Sequence, residues 1–113
     1  MKSKILALSK NEEFKKLLKK KKISNKYVTI FFGNLENKNN KRLNISFVTK
    51  KKLGNAVKRN KIKRRLRNIM NDAVKKISIK FDYSYLVISR PAMLNSDFKD
   101  IKETLFREFG KIK

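Results

Sequence analysis

Apolar residues along this chain recur at two spacings, and the changes of spacing divide it into elements. Near the start, Phe14, Leu17 and Leu18 fall on one side of a helical projection. Ser9, three residues before Glu12, has the spacing of a capping box, and Glu12 with Glu13 places negative charge at the positive end of the helix dipole. The lysine run 19–22 is expected to end this helix in a basic loop. From Asn25, NKYVTIFF reads as a strand with Val28, Ile30 and Phe32 on one face and Tyr27, Thr29 and Phe31 on the other. Aromatics on both faces are unusual for a half-solvated sheet. The polar loop 33–41, GNLENKNNK, leads into RLNISFVT at 42–49, where Leu43, Ile45 and Phe47 alternate inward. These two strands are expected to pair as an antiparallel hairpin.

After lysines 50–52 and Gly54, the spacing returns to 3.6. Ile62, Leu66, Ile69, Ala73 and Ile77 form the buried stripe of a helix over about Ala56–Lys76. Asn60, Lys63, Arg64 and Arg67 sweep away from one border of that stripe, with Lys61 and Arg65 beyond them. DYSYLVIS at 82–89 is a third strand, and strand, helix, strand in this succession implies a parallel crossover. Arg90, Pro91 and Ala92 break that strand. Ser96 and Asp97 are placed to cap a last helix in which Phe98, Ile101, Leu105 and Phe109 share a face and Gly110 marks the end. The pattern predicts an α+β two-layer sandwich with helices covering one face of a short mixed sheet. Its element order is α-β-β-α-β-α, with or without an extra short strand. No internal repeat is present, and 113 residues suit one domain spanning 1–113.

Charge changes this picture from a fold to a function class. The chain carries 32 Lys and Arg against 9 Asp and Glu, a formal net charge of +23, and a body this basic binds polyanions. With 40% hydrophobic residues, eight Phe and three Tyr, it has enough apolar surface to fold despite self-repulsion. Between Asn37 and Asn71 there is no acid but thirteen Lys and Arg, seven of them within KRNKIKRRLR at 58–67. Arg59, Lys63 and Arg67 repeat at i, i+4, where like charges cost roughly 0.2–0.5 kcal/mol per pair. Such a helix is expected to meet nucleic acid. The absence of Cys and His excludes disulfides, thiolate or imidazole metal sites, and Ser–His or Cys–His catalysis. The acids show no spaced pair for two-metal hydrolysis, so an autonomous nuclease is not expected. No apolar run approaches a membrane span, and the N-terminus is broken by charge before a signal core could form, so a cytoplasmic location without membrane contact is expected.

The segment KLGNAVKRNKIKRRLR at 52–67 resembles the signature of the bacterial ribonuclease P protein: Lys52, Gly54, Ala56-Val57, Arg59-Asn60, Ile62, Arg64 and Arg67 in ordered succession. The early Asn11–Phe14 helix start, the aromatic strand, the 83–89 strand and the closing helix fall in that family's order. The resemblance implies a protein subunit of an RNA-based endonuclease that removes the 5′ leader of precursor tRNA. The large RNA performs the cleavage with magnesium, and the protein alone is not catalytic, binds no cofactor of its own and needs no obligate protein partner. It implies that Lys52, Gly54, Asn55, Ala56, Arg59, Asn60, Lys61, Lys63, Arg64 and Arg67 dock on the catalytic RNA. It also implies that Phe14, Leu18, Tyr27, Phe31 and Arg90 hold the single-stranded leader, in a cleft between the first helix and the open sheet face, and that the crossover through the basic helix is left-handed. About 98% of such connections are right-handed, so that last feature is not one that physics would predict. Two positions depart from the family: Lys61 stands where it has Arg, keeping charge but losing a planar fork, and Leu18 stands where it usually has an aromatic.

The residues support this division of labour on their own terms. Guanidinium and amide groups on a helix suit phosphate and sugar contacts, and exposed aromatics stack single-stranded bases without reading their sequence. By pattern alone Phe14 and Phe31 read first as core aromatics, Tyr27 as either, Gly54 as a turn glycine as much as an RNA contact, and Arg90 as a loop charge. A ribosomal-type structural RNA-binding protein shares the size, charge and lack of Cys, and is the alternative that the motif at 52–67 speaks against.

Overall fold

A computed structural model of the chain describes residues 5–6, 11–35 and 43–112. Five strands form one sheet in the order β1-β4-β5-β3-β2: β1 is Ile5–Leu6, β2 Lys21–Ser24, β3 Val28–Asn34, β4 Leu43–Val48 and β5 Tyr83–Ser89. Three helices, α1 Asn11–Leu18, α2 Ala56–Lys76 and α3 Phe98–Lys111, join two short 3-10 turns at Lys51–Leu53 and Pro91–Leu94. The fold is a mixed α+β sandwich, as the pattern predicts, with β1 and β2 as short additional strands.

The centre of the sheet differs from expectation. β3 and β4 do not form a hairpin: β5 lies between them, antiparallel to β3 with Phe31 opposite Leu86, and parallel to β4 with Ser46 opposite Leu86. The parallel β4–α2–β5 crossover is present. Alternation in β3 and β4 says which side chains share a face but not which strand is the neighbour. Tyr85, Leu86 and Val87 are consecutive and all buried, and an element apolar on both faces belongs between two others.

The lysine run is not a loop throughout, since Lys21–Ser24 pairs along β3 as an edge strand. Asn25 makes the reversal: its Oδ1 accepts from the N–H groups of Tyr27 at 2.8 Å and Val28 at 3.0 Å, a side-chain turn that starts β3. Lysines on this free edge also discourage pairing with another chain.

α2 and α3 cover one face of the sheet. Ile62, Leu66, Ile69 and Ala73 of the predicted stripe are buried, joined by Met70, and they pack with Ile101, Leu105 and Phe109 over Ile30, Ile45, Tyr85 and Val87. Burying a side chain of this size contributes roughly 1.5–3 kcal/mol, so this stripe outweighs the repulsion on the outer side of α2. Lys102 of α3 donates to Asp72 Oδ2 of α2 at 2.6 Å, tying the two helices together. Tyr85 donates its hydroxyl to the Lys80 carbonyl at 2.8 Å, and burial, the largest cause, pushes its phenol well above the ordinary range.

α1 lies on the opposite face, so the helices do not share one side as the pattern suggested. Leu17 is buried against Leu86, with Phe14, Phe31, Val48 and Ile88 packed around them. The second apolar face of β3 and β5 needs this cover, and an eight-residue helix supplies only part of it.

Helix ends show further differences. Ser9 lies outside the described residues. Ser96 does not cap α3; its hydroxyl donates back to the Ala92 carbonyl at 2.8 Å, and Asp97 occupies the N-cap position without a side-chain bond. Gly110 falls inside α3, whose C-cap is Ile112, and Phe98 at the first position is exposed rather than part of the buried face.

Candidate nucleic-acid interface

The basic surface begins where β4 ends. Lys52 is exposed in the 3-10 turn, and Gly54 follows with φ +140°, a region that residues with a Cβ rarely adopt. A Cβ there would lie 3.0 Å from Lys58 Cδ and 3.2 Å from its Cβ, so the glycine serves both the turn and the close passage of the Lys58 stem. Asn55 then caps α2, its Oδ1 accepting from the Lys58 N–H at 2.9 Å. A neutral cap, with no acid in the first turn, leaves the positive end of the helix dipole uncompensated.

Along α2, Ala56, Asn60, Lys61, Arg64 and Arg67 are exposed, while Arg59 and Lys63 are half-buried beside the apolar stripe. The described residues contain no ion-pair partner for any cation between Lys50 and Arg67. Arg59 Nε is enclosed without an acceptor among them. All ten sequence-predicted RNA-docking positions thus lie on one continuous turn and helix. The predicted docking set leaves out Val57, 77% exposed on the first turn of α2, and the cations Lys58 and Arg65. Lys61 and Arg65, which the projection places beyond the Lys63–Arg67 border, reach the opposite flank and line it with Lys58, beside Met93–Ser96. The acid-free run was the signal for Lys58 and Arg65, and the Ala56-Val57 pair of the 52–67 segment was the signal for Val57.

The second surface is the sheet face that α1 partly covers. Phe31 is half-buried at its centre, opposite Leu86 on one side and Lys22 on the other, with Lys22 Nζ 5.9 Å from the ring centroid. Thr29 and Ile88 form the next row, with Ser24 donating to the Thr29 hydroxyl at 3.1 Å. Phe14 is half-buried at the border of the same cluster and Leu18 is 47% exposed at the end of α1.

Tyr27 departs from this group. It is only 2% exposed and packs with the main core, because the Asn25 turn sets it at the start of the strand rather than in the regular alternation. Arg90 is exposed beyond the end of β5 and is partly occupied, its Nη1 donating to the Asn25 carbonyl at 2.6 Å.

Strand directions join the two surfaces. Val28 opposes Ser89, Val48 opposes Ile88, and the hydroxyls of Thr49 and Ser89 lie 3.3 Å apart. The start of β3 and the ends of β4 and β5 therefore meet at one edge. That edge gathers the Asn25 turn, Arg90, lysines 50–52 and the approach to α2. The result is a cationic ridge on one side, a shallow apolar and hydroxyl-bearing trough on the other, and a basic rim between them.

Comparison with known proteins identifies the family. The family model described as Ribonuclease P matches residues 3–113. The chain belongs to the ribonuclease P protein family. It is 35% identical over 105 residues to the ribonuclease P protein component of Bacillus pumilus (strain SAFR-032), covering 92% of this chain and 85% of that one. Among solved structures, the RNase P protein from Thermotoga maritima superposes with a TM-score of 0.80 at 25% identity, covering 96% of this chain and 98% of that one. The Staphylococcus aureus RNase P protein gives 0.77 at 28%, covering 94% and 93%. The chain is accordingly a protein subunit of ribonuclease P, a tRNA-processing enzyme with an RNA partner. No described helix is long and apolar enough to cross a membrane.

Proposed function

We propose that this ribonuclease P subunit is a single RNA-binding domain that docks the 52–67 segment on the catalytic RNA and lays the single-stranded 5′ leader of precursor tRNA across the trough under α1. The uncompensated outer face of α2 carries this reading. Its apolar stripe is spent on the core, so the charge that remains outward serves only an anionic partner.

Lys52, Arg64 and Arg67 meet phosphates, Asn55 and Asn60 add amide contacts, and the positive φ of Gly54 lets backbone approach the RNA. Phe31 and Phe14 offer ring faces to successive leader bases, and Leu18 offers apolar contact beside them. Lys22 and Arg90 meet leader phosphates at the rim, whereas Tyr27, buried in the main core, makes no leader contact in this reading. This surface reads no sequence, which suits a subunit that serves many leaders.

Cleavage belongs to the RNA. Magnesium is held there in this reading, where phosphate oxygens supply the hard ligands it prefers. The protein's part is to add binding energy specific to the precursor and to screen phosphate repulsion between the two RNAs. The location that fits is the cytoplasm, where precursor tRNA is made. Mixing the purified chain with a bacterial ribonuclease P RNA and a precursor tRNA at low magnesium tests the proposal. The protein is expected to restore 5′ cleavage that neither component shows alone, and cleavage by the protein without RNA would refute it.

A further inference from the structure

A groove of about 480 Å³ runs between α2 and the Pro91–Leu94 turn, on the flank of α2 away from Lys63 and Arg67. Its floor is apolar: Ile62 and Met93 are buried and Leu94 is 38% exposed. Lys58, Lys61 and Arg65 form one wall, Asn95 and Ser96 the other, and among the described residues no carboxylate lines it. The volume falls within the ~300–1,000 Å³ of clefts that hold small organic groups.

Both walls are built to keep their shape. Met93 donates its N–H to the Arg90 carbonyl at 3.0 Å and Ser96 its hydroxyl to the Ala92 carbonyl at 2.8 Å, which closes the turn on itself. On the other side, the missing Cβ of Gly54 lets the Lys58 stem lie against the chain. The groove joins an apolar floor, of which Leu94 is the exposed part, to three cations, with amide and hydroxyl groups on its other side. That combination matches one unpaired nucleotide, its base on Ile62, Met93 and Leu94, its edge toward Asn95 and Ser96, and its phosphate between Lys58, Lys61 and Arg65.

We infer that this groove holds an unstacked nucleotide of the catalytic RNA, a contact separate from the outer face of α2 and from the trough under α1. The inference rests on the reading that α2 docks on RNA. It gives Lys61 a role that does not need the fork of an arginine, because a phosphate clamped by three cations takes a point charge as well.

The chain has no cysteine, so a single introduced thiol is unique. Asn95→Cys, in the groove, and Asn68→Cys, on the exposed face of α2, would each carry an aryl azide. Each is assembled with a bacterial ribonuclease P RNA, with and without precursor tRNA, and irradiated. Position 95 is expected to label one short unpaired stretch, distinct from that labelled from 68. Labelling of the catalytic RNA from position 95 without precursor supports the inference, and labelling of the tRNA alone overturns it. Labelling from 68 but not from 95 overturns the groove and leaves the docking reading standing, whereas no labelling from either overturns both.

A second measurement compares Leu94→Glu, Leu94→Gln and Lys99→Glu for assembly with the RNA, with circular dichroism confirming the fold. A carboxylate in the groove is expected to weaken assembly about tenfold through repulsion at close range, with Gln near the parent. Lys99→Glu changes the net charge more but lies outside the groove, so a larger loss from Lys99→Glu than from Leu94→Glu overturns the inference.

Discussion

Replacing Phe31 tests the trough most directly, because this ring has two jobs that different substitutions separate. It packs on Leu17 and Leu86 beside Phe14, and it is only half-buried, so one face remains available. Truncation of a fully buried Phe to Ala costs about 3–5 kcal/mol, and half that burial puts Phe31→Ala at roughly 2 kcal/mol of stability. Phe31→Leu keeps most of the contact with Leu17 and Leu86 and should cost under about 1.5 kcal/mol. A domain of this size loses about 4–8 °C of melting temperature per kcal/mol, so the leucine variant stays folded at assay temperature. Both variants remove the π-face. If a leader base stacks there, holoenzyme affinity for precursor tRNA falls by roughly 1–3 kcal/mol, about 5- to 150-fold. Mature tRNA, which has no leader, should bind as before. The assay is equilibrium binding of both tRNAs to holoenzyme reconstituted with each variant, with thermal melts of the free proteins. Equal losses for precursor and mature tRNA, or full precursor affinity in Phe31→Leu, would refute the stacking argument.

Arg64→Ala and Arg67→Ala should weaken assembly with the RNA and flatten its salt dependence by about one unit of slope per lost phosphate contact, while the melting temperature holds because both side chains are exposed. Asn55→Ala removes the cap of α2 and should cost about 1 kcal/mol in thermal unfolding, and sulfate should raise the melting temperature of the variant more than that of the parent. The hydrogen bond from Lys102, then its charge, holds the Asp72 carboxyl below its ordinary 3.8. That stability is present above the unfolded pKa and is lost as pH falls through the folded one, so the parent should lose more melting temperature than Asp72→Asn on acidification below pH 3.8. An equal loss in both would show that the Asp72–Lys102 pair does not contribute.

Local pattern determined much of this protein. The 3.6-residue stripe from Ile62 to Ala73 set the span and buried face of α2, because one helix face is a local property and the core needs an apolar side. The ordered residues from Lys52 to Arg67 carried the family, and the acid-free run carried the class of partner. Strand partners were decided elsewhere. The alternation in β3 and β4 is satisfied equally by a hairpin and by a sheet with β5 between them, and only the tertiary need to bury both faces of Tyr85–Val87 selects the second. Tyr27 and Phe31 look equivalent along the chain, yet the Asn25 turn sends one into the core and leaves the other in the trough. The groove beside α2 is the furthest from sequence. Lys58, Lys61 and Arg65 stand about thirty residues from Met93–Ser96, and packing of the Pro91–Leu94 turn against the helix makes them one surface. Periodicity records which way each side chain points along its own element, whereas sites are made where separate elements meet.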